Sequence, residues 1–207
     1  MILKALYDYY NRCDHLPASG MEEKEIGFVI VISKEGKFVR LEDCRIDNKQ
    51  ARTYLVKKHV GRSSAVAANY LYDNSTYVLG YADTEKAKGD TEQIKKHSDK
   101  ENACFEAFKE KVVSIYKVYP NCNDLAAICK FYQQSKEEIL SCISQDSLWE
   151  DIKKNLSKKY STFSFRIDGD LKIVAEKREF LQLEDSEDEN KGNLLCLTTG
   201  NKGTAVD

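Results

Sequence analysis

The apolar stretch IGFVIVIS, residues 26–33, constrains the fold more than any other part of the sequence. It is too short and too rich in β-branched residues to form a buried helix, so it predicts a strand. A Glu-Gly pair then supplies a turn, and the segment KFVRLED, residues 37–43, predicts a second strand. We therefore expect a β-hairpin near the N-terminus.

Later segments predict further strands. RTYLV, residues 52–56, and STYVLGY, residues 75–81, are short and rich in β-forming residues. Apolar and polar side chains alternate in residues 163–167, and after a Gly-Asp turn we expect residues 171–174 to pair back.

Helices are predicted at the N-terminus and in the middle of the chain. Apolar residues recur at helical spacing in residues 2–12 and 101–119, where Pro120 ends the second pattern. Three shorter helices follow, and another is predicted over residues 175–183. Residues 84–100 predict a charged connection without apolar periodicity. The expected N-caps of the three short helices are Asn123, Ser135 and Asp146.

The fold class that follows is α+β: an antiparallel sheet built from the N-terminal hairpin and later strands, with a helical middle segment. We expect an α+β N-terminal domain over residues 1–183, with a helical insert at about residues 101–158. The run EDSEDE predicts an acidic linker at residues 184–193. Residues 194–207 are expected to be the start of a further, truncated region.

Charge is unevenly distributed along the chain. Because 32 Lys and Arg stand against 34 Asp and Glu, the formal net charge is −2 and the protein is not globally basic. Any surface for nucleic acid must therefore be local. Residues 45–62 contain six Lys or Arg and a single acid, Asp47.

The segment KKHVGRSSAVAANYLYDN, residues 57–74, predicts a basic loop and then a short helix at about residues 63–72. Lys, Arg and a helix start can bind phosphates, whereas Asn and Tyr can reach base edges or stack between base steps. A second interpretation stays open, in which the lysines protect a sheet edge and Tyr70 belongs to the core. Asn69 fits a core position less well, because a buried amide requires partners.

No constellation of residues predicts an enzyme. The three histidines are scattered, and the sequence contains no H-E-x-x-H, G-x-S-x-G, Walker A or G-x-G-x-x-G motif. The Asp-Gly-Asp at residues 168–170 predicts a turn rather than a metal site. We therefore expect no catalytic residue, no metal-binding residue, no cofactor and no small-molecule substrate.

The seven cysteines never form a C-x-x-C pair and are expected to be reduced. The opening MILKALYDYY lacks the apolar core of a signal peptide, and no apolar run is long enough to span a membrane. We expect a cytoplasmic protein without a membrane partner.

Five segments resemble one family, in the same order along the chain: MILKALYDYYNR, EIGFVIVISKEGKF, VGRSSAVAANYLYDNSTYVLGY, FSFRIDGD and CLTTG. They are similar to the N-terminal region of the large subunit of the type I-C CRISPR surveillance complex, Cascade. The resemblance implies a non-catalytic subunit that works with crRNA-bound Cascade subunits in antiviral defence. It would inspect the protospacer-adjacent motif of double-stranded target DNA, while the guide RNA pairs with the target sequence.

The resemblance also implies roles for individual residues. The family's Asn-aromatic pair falls on Asn69 and Tyr70, which are expected to contact the DNA motif. Asn69 would approach base edges, and Tyr70 would act as a wedge or stacking group. The family's basic residues just upstream match Lys58 and Arg62. The residues expected on DNA phosphates are Lys57, Lys58, Arg62 and Ser63.

Two other hypotheses remain. Members of the family are much longer than this chain, so the resemblance also implies a truncated homologue. Such a homologue could dock on the crRNA complex and inhibit CRISPR interference, as an anti-CRISPR-like decoy. The chain could instead be a generic α+β interaction module whose basic loop is only a solvated sheet edge.

Overall fold

A computed structural model describes the central part of the chain and short stretches near both ends. The described residues are 2–10, 12, 17, 20–62, 66–82, 91–181, 194–195 and 202–203. The chain divides into two compact units, one of Met1–Ser19 with Gln182–Asp207 and one of Gly20–Leu181.

Strands and helices alternate along the chain in blocks, which confirms the α+β class. The strands are β1 (Met21–Glu25), β2 (Phe28–Ile32), β3 (Phe38–Asp43), β4 (Thr53–Lys57), β5 (Tyr72–Asn74), β6 (Thr162–Ile167), β7 (Leu194–Leu195) and β8 (Lys202–Gly203). The helices are α1 (Ile2–Tyr10), α2 (Ser75–Val78), α3 (Thr91–Val118), α4 (Asn123–Phe131), α5 (Lys136–Ile143), α6 (Trp149–Asn155) and α7 (Arg178–Leu181).

The smaller unit contains α1 and the short antiparallel pair of β7 and β8. Helix α1 confirms the helix predicted for residues 2–12. The acidic linker predicted at residues 184–193 lies outside the described residues, and so does the CLTTG segment.

The main sheet of the larger unit has the strand order β3-β2-β6-β5. The predicted hairpin of β2 and β3 is confirmed as an antiparallel pair. However, β2 pairs with β6 in parallel, so the expectation of an antiparallel sheet is wrong and the sheet is mixed. Strand β2 lies between two neighbours and is buried along its whole length, which explains why FVIVI is a continuous apolar run.

A second ladder pairs β1 with β4 in antiparallel register. Strand β4 confirms the strand predicted at residues 52–56. The sequence MEEKE of β1 carries no β pattern and gave no strand prediction. Its pairing with β4 therefore overrides its weak local propensity.

The segment from residue 66 to residue 78 differs most from its prediction. The expected helix at about residues 63–72 is absent from its described part, because residues 66–71 are irregular and β5 follows. Leu71 has a φ of 63°, a left-handed conformation that a continuing right-handed helix cannot contain. The strand expected at residues 75–81 is also wrong, since Asn74 caps α2 there by accepting from the N–H groups of Thr76 and Tyr77.

The helical middle agrees better with the sequence pattern. Helices α3 to α6 occupy the predicted positions, but α3 begins at Thr91, within the segment expected to be a charged connection. Residues 95–100 are exposed, so they need no apolar face to be helical. Ser135 caps α5 in a capping box with Glu138, as expected. Asn123 instead lies inside α4 and is not its cap.

Asp146 joins the helices to the sheet. Its carboxylate accepts from the N–H of Leu148, just before α6, at 2.9 Å. It also accepts from the N–H of Leu41 in β3 at 2.7 Å. The N-cap of α6 is Leu148, so the prediction of Asp146 as the cap is wrong. Its carboxylate instead anchors the residue before α6 to the sheet.

After β6 the chain does not pair back. A 3₁₀ turn at Val174–Glu176 and then α7 replace the strand predicted at residues 171–174. The core between sheet and helices is aromatic: the Phe165 ring of β6 lies 5.6 Å from that of Phe131 and 5.8 Å from that of Tyr132, centroid to centroid.

The turn between β2 and β3 gives a test of this packing. Gly36 has a φ of +79°, and a Cβ there would lie 2.6 Å from the carbonyl oxygen of Ala127 in α4. We expect Gly36→Ala to lower the free energy of unfolding by about 2–4 kcal/mol, measured by urea denaturation. Gly169→Ala is the matched control, because its φ is +91° but nothing lies within 4 Å of the added Cβ. It should cost about 1–2 kcal/mol, and equal losses would contradict the account.

Candidate nucleic-acid interface

Residues 58–71 form a loop that connects two separate ladders. The chain leaves β4, the partner of β1, and enters β5, the partner of β6. Residues 63–65 lie outside the described residues, and they include the predicted phosphate-binding residue Ser63. The two described arms are 58–62 and 66–71, and we refer to the whole as the 58–71 loop.

An ion pair between Arg62 and Asp73 joins the first arm of the loop to β5. The guanidinium donates to both carboxylate oxygens of Asp73, with Nη1 3.1 Å from Oδ1 and a second bond from Nη2 to Oδ2. The Nε of Arg62 donates to the carbonyl of Ala67 in the other arm at 2.6 Å. The guanidinium also lies 4.0 Å from the centroid of the Tyr77 ring.

Asp73 is only 2% exposed, and its carboxylate accepts several hydrogen bonds. Besides Arg62, it accepts from the backbone N–H of Asn69 at 3.0 Å and from that of Asn74 at 2.9 Å. Burial raises the pKa of Asp73 above its usual value, and the hydrogen bonds from Arg62 and the two N–H groups oppose that rise. A carboxylate with four donors fixes the position of both arms of the loop.

The two residues predicted to contact the DNA motif are both largely buried. Asn69 is 8% exposed, and its Oδ1 accepts from the N–H of Val60 at 2.9 Å. Tyr70 is 9% exposed, and its ring lies between the ammonium groups of Lys57 and Lys111, at 4.4 Å and 4.3 Å from the centroid. Both side chains therefore hold the loop in this conformation, and their contact with DNA stays a prediction.

The residues predicted on DNA phosphates lie in different environments. Lys57 is 5% exposed and its ammonium group contacts the Tyr70 ring. Arg62 directs its charge at Asp73. Lys58 is exposed, and its backbone N–H donates to the carbonyl of Gly20 at 2.8 Å. Of these three, Lys58 is the one best placed to meet a phosphate from solvent.

Glu22 in β1 braces the start of the loop. Its Oε1 lies 3.0 Å from the buried hydroxyl of Tyr72, which is also 2.8 Å from the carbonyl of Lys57. The other oxygen, Oε2, lies 2.8 Å from Nδ1 of His59, whose backbone N–H donates to Oε1. Burial raises the pKa of Glu22, but the hydrogen bonds from His59 and Tyr72 outweigh it, so the net shift is downward.

A cleft of about 540 Å³ lies beside the loop. It is lined by Lys24 of β1, by His59, and by Lys158, Lys159 and Ser161 of the connection from α6 to β6. The Ser161 hydroxyl is buried and has no hydrogen-bond partner within the described part of the chain. Leaving a buried hydroxyl unpaired costs about 1–3 kcal/mol.

Sequence patterns did not identify Glu22, Asp73 or the cleft residues. Glu22 and Asp73 act on the loop across the strand pairing, which has no local signature. The cap residue Asn74, followed by Ser-Thr, is a signal that could have identified the start of α2.

Within the described residues, no group of three or more His, Cys, Asp or Glu side chains lies close enough together to hold a metal ion. No helix in the described ranges is both long and apolar enough to cross a membrane.

The Glu22 brace predicts a pH dependence of stability. Because the folded pKa of Glu22 lies below its ordinary value of 4.5, its contribution is present above pH 4.5 and is lost as the pH falls through the folded pKa. We expect Glu22→Gln to lower the free energy of unfolding by about 1 kcal/mol at pH 7, and by less at pH 3. Urea denaturation at both pH values measures the difference.

The exposed neighbour Glu23 supplies the control, and Glu23→Gln should have little effect at either pH. A loss for Glu22→Gln that is as large at pH 3 as at pH 7 would contradict the role given to its charge.

Comparison with known proteins now adds the family. A family model described as CRISPR-associated protein (Cas_Csd1) matches residues 6–207. No curated protein matches the chain at the significance required. The match covers nearly the whole sequence and confirms the CRISPR association that the resemblance implied. The chain therefore belongs to the Csd1 family of CRISPR-associated proteins.

Proposed function

We propose that this chain is a non-catalytic, DNA-binding part of an RNA-guided Cascade complex of type I-C, where it recognises the protospacer-adjacent motif of duplex target DNA. One observation carries the proposal: in a CRISPR-associated chain, a basic loop is held by an ion pair between Arg62 and the buried Asp73 and presents Lys58 to solvent. Rigidly held loops are suited to recognition, because their groups are already in position when the ligand arrives.

The contacts of the three basic residues give them different roles in binding DNA. Lys58 is exposed and meets a phosphate without rearrangement. The charges of Lys57 and Arg62 act over a distance, because Tyr70 and Asp73 already contact them. Lys57 therefore contributes to the local positive potential more than to a direct phosphate contact, whereas the charge of Arg62 is offset by Asp73.

Asn69 lines the cleft beside the loop, and its amide oxygen is engaged by Val60. That leaves the amide nitrogen for a contact with a base acceptor. Tyr70 would have to leave its two lysine contacts to act as a wedge. Its role as a wedge therefore requires a rearrangement of the loop on binding, as occurs in a substantial minority of complexes.

The first test separates phosphate contacts from motif recognition. Lys58→Ala should weaken binding of duplexes with and without the motif by the same factor and lower the salt slope by about one. The measurement is a titration of both duplexes, over a series of salt concentrations, into the chain assembled with crRNA-bound partner subunits. Lys37→Ala, an exposed residue of the β2–β3 turn, is the control and should change neither quantity.

Asn69 is tested with two variants, because it also holds the loop. Asn69→Asp keeps the oxygen that accepts from Val60 and removes the amide donor. If the donor contacts the motif, both Asn69→Ala and Asn69→Asp lose about 1–3 kcal/mol of discrimination between the two duplexes. Discrimination retained by Asn69→Asp would assign Asn69 to loop positioning alone. Equal affinity of the wild type for both duplexes would contradict motif recognition altogether.

A further inference from the structure

We propose that the cleft beside the 58–71 loop binds a backbone phosphate of the duplex target DNA, with Lys24, Lys158, Lys159 and Ser161 as the contact residues. This inference rests on the proposed function and adds a second DNA contact, outside the basic segment of residues 45–62.

The fold brings these residues together from distant parts of the sequence. Lys24 comes from β1, which pairs with the strand that leads into the loop. Lys158, Lys159 and Ser161 come from the connection between α6 and β6, more than 130 positions later in the sequence. They line one cleft of about 540 Å³ together with His59 of the loop.

The charge of the cleft favours an anion. In the part of the chain that the structure describes, no carboxylate lies within ion-pair distance of Lys24, Lys158 or Lys159. Asp73, the carboxylate that also lines the cleft, is paired with Arg62 and buried. The three ammonium groups are therefore not paired with a carboxylate of the described chain. Phosphate oxygens are the usual partners of such groups on a DNA-binding surface.

Ser161 is a second, independent observation. It is 3% exposed, it lines the cleft, and its hydroxyl has no hydrogen-bond partner among the described residues. Its backbone N–H donates to the carbonyl of Lys158 at 3.0 Å, so one backbone turn carries Ser161 and both lysines. Buried hydroxyls are nearly always paired, so this one can donate to a ligand atom that reaches it through a small shift of the cleft wall. A phosphate oxygen is an acceptor that the hydroxyl can satisfy while the lysines neutralise the charge.

The position of the cleft selects DNA as the source of that phosphate. His59 lines the cleft, and its neighbour Lys58 is the exposed residue that the proposed function places on a phosphate. A strand whose backbone contacts Lys58 can therefore place another phosphate of the same strand in the cleft.

The test uses the full chain assembled with crRNA-bound partner subunits and titrated with a motif-containing duplex. The double variant Lys158→Ala/Lys159→Ala should weaken binding about tenfold or more and lower the salt slope by about two. Lys34→Ala/Lys37→Ala removes the same charge from the exposed β2–β3 turn and should leave both values at the wild-type level.

Ser161→Ala separates the site from a general charge effect. Because no hydrogen bond within the described residues is lost, its melting temperature should equal or exceed that of the wild type, while duplex affinity falls several-fold. Wild-type affinity in both the lysine double variant and Ser161→Ala would overturn the inference.

The same variants titrated with single-stranded RNA distinguish the source of the phosphate. Loss of RNA binding with unchanged duplex binding would overturn the assignment to DNA. If the wild-type assembly does not bind the motif duplex at all, the proposed function itself fails. If the wild-type assembly binds the duplex and the cleft variants bind it with the same affinity, the proposed function stands without this site.

Discussion

The ion pair between Arg62 and Asp73 is the interaction on which the arrangement of the candidate interface depends. Asp73 is the second residue of β5, so it is fixed to β6, and Arg62 lies in the opposite arm of the loop. Asp73 is buried whereas the Arg62 side chain is partly exposed, so removing Arg62 would leave a buried carboxylate without its charged partner, which is destabilising. The main effect of the pair is to hold both arms of the loop in one conformation.

The contacts of the loop also distinguish its basic residues by their environment. Residues 45–62 contain six basic residues, and the sequence alone does not show which of them are exposed. In the folded chain Arg62 is paired with Asp73 and Lys57 is buried against the Tyr70 ring, whereas Lys58 is exposed. The positive surface is completed by Lys158 and Lys159, which a linear count of charge does not connect with the loop.

Much of the fold could be predicted from local patterns. The apolar run at residues 26–33 and the helical spacing in residues 101–119 identify β2 and α3, because burial imposes a period on the sequence. The direction of the β2–β6 pairing could not be predicted, since a buried strand looks the same with a parallel or an antiparallel neighbour. Strand β1 could not be predicted either, because its residues are charged and only its partner makes it a strand.

The candidate site was predicted in part, and for a similar reason. The family match confirms the CRISPR association, and residues 58–62 form the predicted basic loop, whereas the helix expected at about residues 63–72 is absent from its described part. The burial of Asn69 and the role of Asp73 depend on contacts across the loop, which leave no periodic signal. The same holds for Ser161, whose unpaired hydroxyl is visible only in three dimensions.

The most direct test of the central claim is a lysine-acetylation footprint of the assembled chain with and without motif-containing duplex DNA. The account predicts that DNA protects Lys24, Lys58, Lys158 and Lys159, while Lys34 in the β2–β3 turn reacts as before. Unchanged reactivity at the first four lysines, with protection at the β2–β3 turn, would contradict the account.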